Sequence, residues 1–141
     1  VFAKLDARLT AGLMTMGAVK GVEVGWGFRL ARLRGSESND NMADNKFLSN
    51  HCGGILGGIS TGEPVVLRLV VKPTSSIAKQ QRTIDIHGDN QTIEVHGRHD
   101  PCIVPRAVPV VESMAALTLL DIWEVQARLQ PAWAEKWEHS V

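Results

Sequence analysis

The strongest constraint on this chain is the stretch from Gly97 onward, Gly97-Arg98-His99-Asp100-Pro101-Cys102, and the segment that follows it. From Val104 the apolar residues recur at Val108, Val111, Ala115, Leu119, Ile122, Val125 and Leu129, in steps of three or four, which puts them on one side of a helix. Pro105 and Pro109 are accommodated if the helix proper begins near Arg106 or Ala107; otherwise Pro109 kinks it. On that reading Glu112 sits near the positive end of the helix, where a carboxylate is favoured. Arg98, His99 and Asp100 then arrive just ahead of a helix start, where backbone N–H groups are unpaired and the dipole favours an anion. The same triplet also suits an ordinary cap and a solvated turn.

The 141 residues are one domain's worth of chain, enough for a real core, and 44% apolar with 21% charged residues is ordinary for a globular protein. Fifteen basic residues balance fifteen acidic ones, which removes any basic footprint for nucleic acid and any acidic tail. No apolar run approaches the roughly 20 residues of a membrane span. Cys52 and Cys102 are the only cysteines, and no signal peptide precedes them, so two reduced thiols in a cytoplasmic protein are expected rather than a disulfide framework. The chain opens on Val1 and runs straight into a helical pattern, Phe2, Leu5, Leu9, Leu13 and Met16, which suggests a piece of a longer protein.

That helix should run from Phe2 to about Met16 and stop near Gly17 and Gly21. Gly21 to Gly25 alternates as a short strand does, with Ala31 to Leu33 a possible extension of it. Ser36 to Asn50, rich in Ser, Asn and Asp, is expected to be a mobile surface loop. The glycine-dense run Gly53 to Gly62 has neither the Lys-Ser/Thr ending of a phosphate loop nor the dinucleotide spacing. It fits a strand bent at glycines, or bare backbone that a flat ligand or another backbone approaches. Pro64 to Val71 is the clearest strand, with Val65, Leu67, Leu69 and Val71 on its covered face. It leads into Lys72-Pro73-Thr74-Ser75-Ser76, where one cation and three hydroxyls can cradle a phosphate or simply make a polar turn. Thr83 to His87 and Thr92 to His96 both alternate around Gly88 to Gln91 and imply a hairpin. Beyond Pro131, Trp133 and Trp137 stand one turn apart in a possible short helix.

Metal and nucleophile chemistry fits these residues poorly. His96, His99, Asp100 and Cys102 lack the usual zinc spacings, Cys52 and Cys102 suit small packing roles, and no Gly-x-Ser-x-Gly elbow is present.

Four segments in order resemble the chorismate synthase family: AVKGVE (18–23), SNHCGGILGGISTGEP (49–64), KPTSS (72–76) and GRHDPCIVPRAVPVVESMAA (97–116). The resemblance runs from about Leu5 to Ala127. It implies an α+β fold, an antiparallel sheet packed on helices as part of that family's β-α-β sandwich, assembled as a homotetramer. It implies a phosphate lyase of the shikimate route to aromatic amino acids, which converts 5-enolpyruvylshikimate 3-phosphate to chorismate by 1,4-elimination. Reduced FMN is the implied cofactor, with NADPH where the protein reduces its own flavin.

By motif, Gly17, Ala18, Gly57, Lys72, Pro73, Thr74, Ser75, Ser76 and Arg98 match positions that contact FMN, and Asp100 matches an aspartate near flavin N5 that accepts a proton. Gly17 and Gly57 would leave bare backbone to a flat ring, and Lys72 with its hydroxyl neighbours would stabilise an anionic reduced flavin. Arg98 would hold a phosphate or carboxylate in two-pronged fashion. Position 17 is more often asparagine in the family. None of His51, His87, His96, His99 or His139 stands in the context of the family's two active-site histidines, which belong to its N-terminal half. Residues 1–141 therefore read as the C-terminal portion of such an enzyme, inactive in isolation and prone to self-association through apolar helix surface. A non-catalytic FMN- or phosphate-binding module and an assembly piece are the alternatives.

Overall fold

The computed structural model describes residues 3–130; Phe2 and the expected helix around Trp133 and Trp137 lie outside them. Helix α1 (Leu5–Met14) carries Leu9 and Leu13 one turn apart, and both are fully buried. With Val19 on β1 (Val19–Val24) and Ile55 on β4 (Ile55–Leu56) they make up the buried apolar core among the described residues. Thr15 and Met16 close the helix by donating to Gly12 and Leu13 carbonyls.

Strand β1 pairs antiparallel with β6 (Leu67–Val71), Val22 opposite Leu69 and Glu23 opposite Arg68, with an irregularity between Val19 and Gly21. Leu67, Leu69 and Val71 are half-buried while Arg68 and Val70 are exposed, the alternation their spacing requires. Three further antiparallel ladders among the described residues have two strands each. They are β2 (Met42–Ala43) with β3 (Lys46–Phe47), β4 with β5 (Ile59–Ser60), and β7 (Gln81–Ile84) with β8 (Asn90–Ile93). The single sheet expected is thus a central ladder with three separate hairpins. The class is α+β: a one-turn helix α2 (Gly35–Ser38) precedes β2, and α1 packs against both β1 and α3 (Val104–Leu129).

Four expectations are corrected. Residues Gly27–Arg32 form a 3-10 helix instead of extending β1, because Gly25 and Gly27 take left-handed backbone (φ 58° and 49°) and turn the chain out of the ladder. The β7–β8 hairpin turns over residues 85–89, earlier than the glycine suggested. Asp85 Oδ1 accepts from the N–H groups of His87 (2.8 Å) and Asp89 (3.0 Å), ending the strand at Ile84. Those donors also hold the Asp85 carboxyl below its usual range.

Helix α3 begins at Val104, with Pro105 in its first turn, so Glu112 lies more than two turns inside rather than at the positive end. Pro109 stays within the helix, and its carbonyl accepts the Ser113 hydroxyl at 2.7 Å. The packed stripe of α3 is Ala107, Val111, Met114, Ala115, Thr118 and Ile122, all half-buried, whereas Val104, Val108, Leu119, Val125 and Leu129 are exposed. Length leaves the ends bare: α1 has 10 residues and α3 has 26, so α1 covers only about 15 Å of a helix about 39 Å long. Val108 and Leu119 stand off the packed stripe within the covered stretch.

The glycine-dense run resolves into two uses. Gly57 and Gly58 (φ 59° and 84°) form the two-residue turn of the β4–β5 hairpin, a geometry that needs positive φ at both positions. Gly53 lies against Gly25 so closely that a side chain on either would meet the other's backbone.

Candidate functional site

Two grooves meet at the head of α3. The first, about 450 Å³, is lined by Thr74, Arg98, His99, Asp100, Ile103 and Arg106. The second, about 510 Å³ and more apolar, is lined by Thr15, Met16, Gly17, Ile103, Arg106, Ala107, Val110 and Met114. Ile103 and Arg106 belong to both.

The local folding explains this convergence. Strand β6 ends at Val71, and the Lys72 N–H donates to the Ala18 carbonyl at 2.7 Å, so the 72–76 segment leaves the sheet beside the turn that follows α1. Ala18 takes left-handed backbone (φ 68°), which reverses the chain between α1 and β1. From the other side β8 delivers residues 97–103, and α3 starts at Val104 with no side chain capping it. The Thr74 hydroxyl oxygen is buried and has no hydrogen-bond partner among the described residues. A buried hydroxyl left in this way costs about 1–3 kcal/mol, which a bound polar group in the cleft would recover.

Of the residues singled out in the sequence, Thr74, Arg98 and Asp100 thus share one cleft, and Gly17 lines the adjoining groove. Ala18, Lys72 and Pro73 are joined to it through the Lys72–Ala18 backbone bond. The Ser75 carbonyl accepts from Gln81 Nε2 at 3.3 Å, and Ser76 is half-buried. Gly57 is placed elsewhere. Its hairpin sits at the start of α1, where the Gly58 carbonyl accepts the Leu5 N–H at 2.9 Å, a helix length of roughly 15 Å from Gly17.

Sequence reasoning missed Arg106. Its Nη1 lies 2.9 Å from Asp100 Oδ2, and its signal was a cation in the first turn of a helix. His51, given no role from sequence, packs its ring against Trp26 (centroids 3.9 Å apart), and the Arg29 guanidinium stacks over Trp26 at 3.9 Å. Burial and the neighbouring Asp40 carboxylate push the Cys52 thiol up, away from nucleophilic use. Among the described residues no group of three or more His, Cys, Asp or Glu side chains is placed to hold a metal ion. Nor is any helix among them long and apolar enough to cross a membrane.

The described residues make an α+β protein with a polar cleft, where Asp100 is paired with Arg106 beside Arg98, His99 and Thr74, set against a more apolar groove. The chain belongs to the chorismate synthase family, whose model matches residues 1–123. A chorismate synthase of Nitratidesulfovibrio vulgaris (strain Miyazaki F) is 55% identical over 129 residues, covering 92% of this chain and 36% of its own length. That of Archaeoglobus fulgidus is 56% identical over 131 residues, covering 89% of this chain and 36% of its own length. A crystal structure of chorismate synthase superposes with a TM-score of 0.63 at 31% identity, over 84% of this chain and 30% of that one. The chain thus spans about a third of the length of the relatives it matches.

Proposed function

We propose that this chain forms the reduced-FMN-binding part of a cytoplasmic chorismate synthase, the lyase that converts 5-enolpyruvylshikimate 3-phosphate to chorismate and phosphate. The observation that carries the reading is the cleft in which Thr74, Arg98 and Asp100 converge, with the Thr74 hydroxyl buried and unpartnered. The residues fit the cofactor. Gly17 has open space above its backbone and borders the apolar groove, as a flat ring requires. Reduced FMN, when bound, supplies electron density that helps phosphate leave, and in a protein that reduces its own flavin NADPH supplies the electrons.

The chain's own residues bind, orient and accept a proton. Arg98 holds a phosphate or carboxylate with two parallel hydrogen bonds, and the Thr74 hydroxyl donates to or accepts from the ligand's polar edge. Lys72, with Ser75 and Ser76, opposes the negative charge of the reduced cofactor. Asp100 accepts a proton on its carboxylate during turnover.

The remaining length of the relatives is proposed to complete the substrate site and cover α3. The 141-residue chain alone binds the cofactor without catalysing the elimination, and it self-associates as the homotetrameric assembly of the family would suggest. The uncovered surface of α3 favours one second reading, a pure assembly piece.

Anaerobic titration of the chain with reduced FMN separates the two. Saturable binding without turnover is expected, weakened about tenfold or more in Arg98→Ala. Neither binding nor turnover would leave the assembly reading in place.

A further inference from the structure

We propose that Arg106 is a positioning residue that sets the orientation of the Asp100 carboxylate in the cleft, acting through Asp100 rather than on the ligand. The inference rests on the flavin-site reading for its function, though not for its geometry.

Arg106 stands in the first turn of α3, where a cation is disfavoured by the helix dipole. No acidic residue occupies that turn and no side chain caps it. A residue that breaks a local rule calls for a compensating contact, and the contact is Asp100, whose Oδ2 lies 2.9 Å from Arg106 Nη1. The contact is an ion pair to that oxygen, and no backbone N–H group among the described residues donates to the carboxylate. Arg106 thereby fixes where the carboxylate stands in the cleft lined by Thr74, Arg98 and His99.

The covalent arrangement supports the same role. Asp100 sits on the irregular segment before the helix, where nothing in the backbone fixes its side chain, while Arg106 rises from a regular helix of 26 residues. The rigid element orients the flexible one. Arg106 also forms the wall shared by the polar and apolar grooves, so losing its pairing with Asp100 would turn a carboxylate loose where both grooves meet.

The test uses the 141-residue chain at pH 7 with Asp carboxyl carbons labelled, the Asp100 resonance being identified by its loss in Asp100→Asn. That resonance is expected to move in Arg106→Ala and to return most of the way in Arg106→Lys, with the far-UV circular dichroism of all variants unchanged. The dissociation constant for reduced FMN should rise about three- to fivefold in Arg106→Ala, the scale of an exposed ion pair, and should not rise when the same change is made in Asp100→Asn. An equal loss of affinity in both backgrounds would mean that Arg106 touches the ligand itself, and the proposal would fall. It would fall also if the Asp100 resonance ignored Arg106. If the unsubstituted chain bound no reduced FMN, the flavin reading would fail while the carboxyl resonance still decided the role of Arg106.

Discussion

Asp40 shows how much one side chain can organise. Its side chain is 4% exposed, and Oδ1 accepts from the His51 N–H (2.6 Å) and the Ser49 hydroxyl (2.7 Å) while Oδ2 accepts from the Cys52 N–H (2.9 Å). Burial alone would raise its pKa from 3.8, but the N–H groups of Cys52 and His51 and the Ser49 hydroxyl outweigh it and hold it at about 2. Because the folded value lies below the unfolded one, the stabilisation is fully present above about pH 4. It is lost as pH falls from about 4 toward 2, and amounts to about 2 kcal/mol in all. Asp40→Asn should lower the urea midpoint clearly at pH 7, and the gap to the unsubstituted chain should narrow at pH 2.5. A gap of the same size at both pH values would contradict this account. Little of this was legible in the sequence, where Asp40 is one acid in a polar stretch and its partners come 9 to 12 residues later. Arg98 and Asp100 stand in one cleft, but the charged triplet ahead of the helix suited a cap as well, and it was the family resemblance that singled the two residues out.

At the scale of elements, α1 and α3 meet where Gly12 faces Thr118, whose hydroxyl bonds to the Met114 carbonyl at 2.8 Å. An ion pair between Arg8 and Asp121 ties the same two helices one turn away. A Cβ on Gly12 would come within 2.5 Å of Thr118 Oγ1. Helix propensity alone favours Gly12→Ala by about 1 kcal/mol, so the sign of the change tests the packing. Thermal denaturation should show Gly12→Ala destabilising in the natural background and stabilising when Thr118→Ala removes the hydroxyl. Stabilisation in both would mean that the helices do not meet at that glycine. Periodicity alone located α1 and α3, since a run of apolar residues at three- and four-residue steps has few other solutions. It could not say which part of α3 is covered, because that depends on where the shorter α1 ends. Nor could it see that Asp85 would capture the hairpin turn, since the competing signal, Gly88, is a turn residue as well.

For the whole molecule, the surface is out of proportion to the mass. The accessible area is 11027 Å² for a 15.4 kDa chain, where a compact monomer of that mass exposes roughly 7,200 Å². Exposed apolar residues occur on several sides of α3, among them Val108, Val110, Leu117, Leu119 and Leu120, a wider apolar surface than a helix packed on one partner leaves to water. Sedimentation should therefore show association that grows with concentration, and Leu117→Glu with Leu120→Glu should shift it toward monomer without loss of helix. A single concentration-independent monomer peak would count against it. The central ladder carries a different consequence, for the order in which the chain assembles. Strands β1 and β6 come together across the whole segment between Val24 and Leu67, and closing so long a loop is slow for an unstructured chain. The hairpins β2–β3 and β4–β5 lie inside that segment and close locally within microseconds, shortening the free length that remains. The backbone clasp between Gly25 and Gly53 fastens only as the ladder zips, so amides of the central sheet would be the last to become protected during refolding.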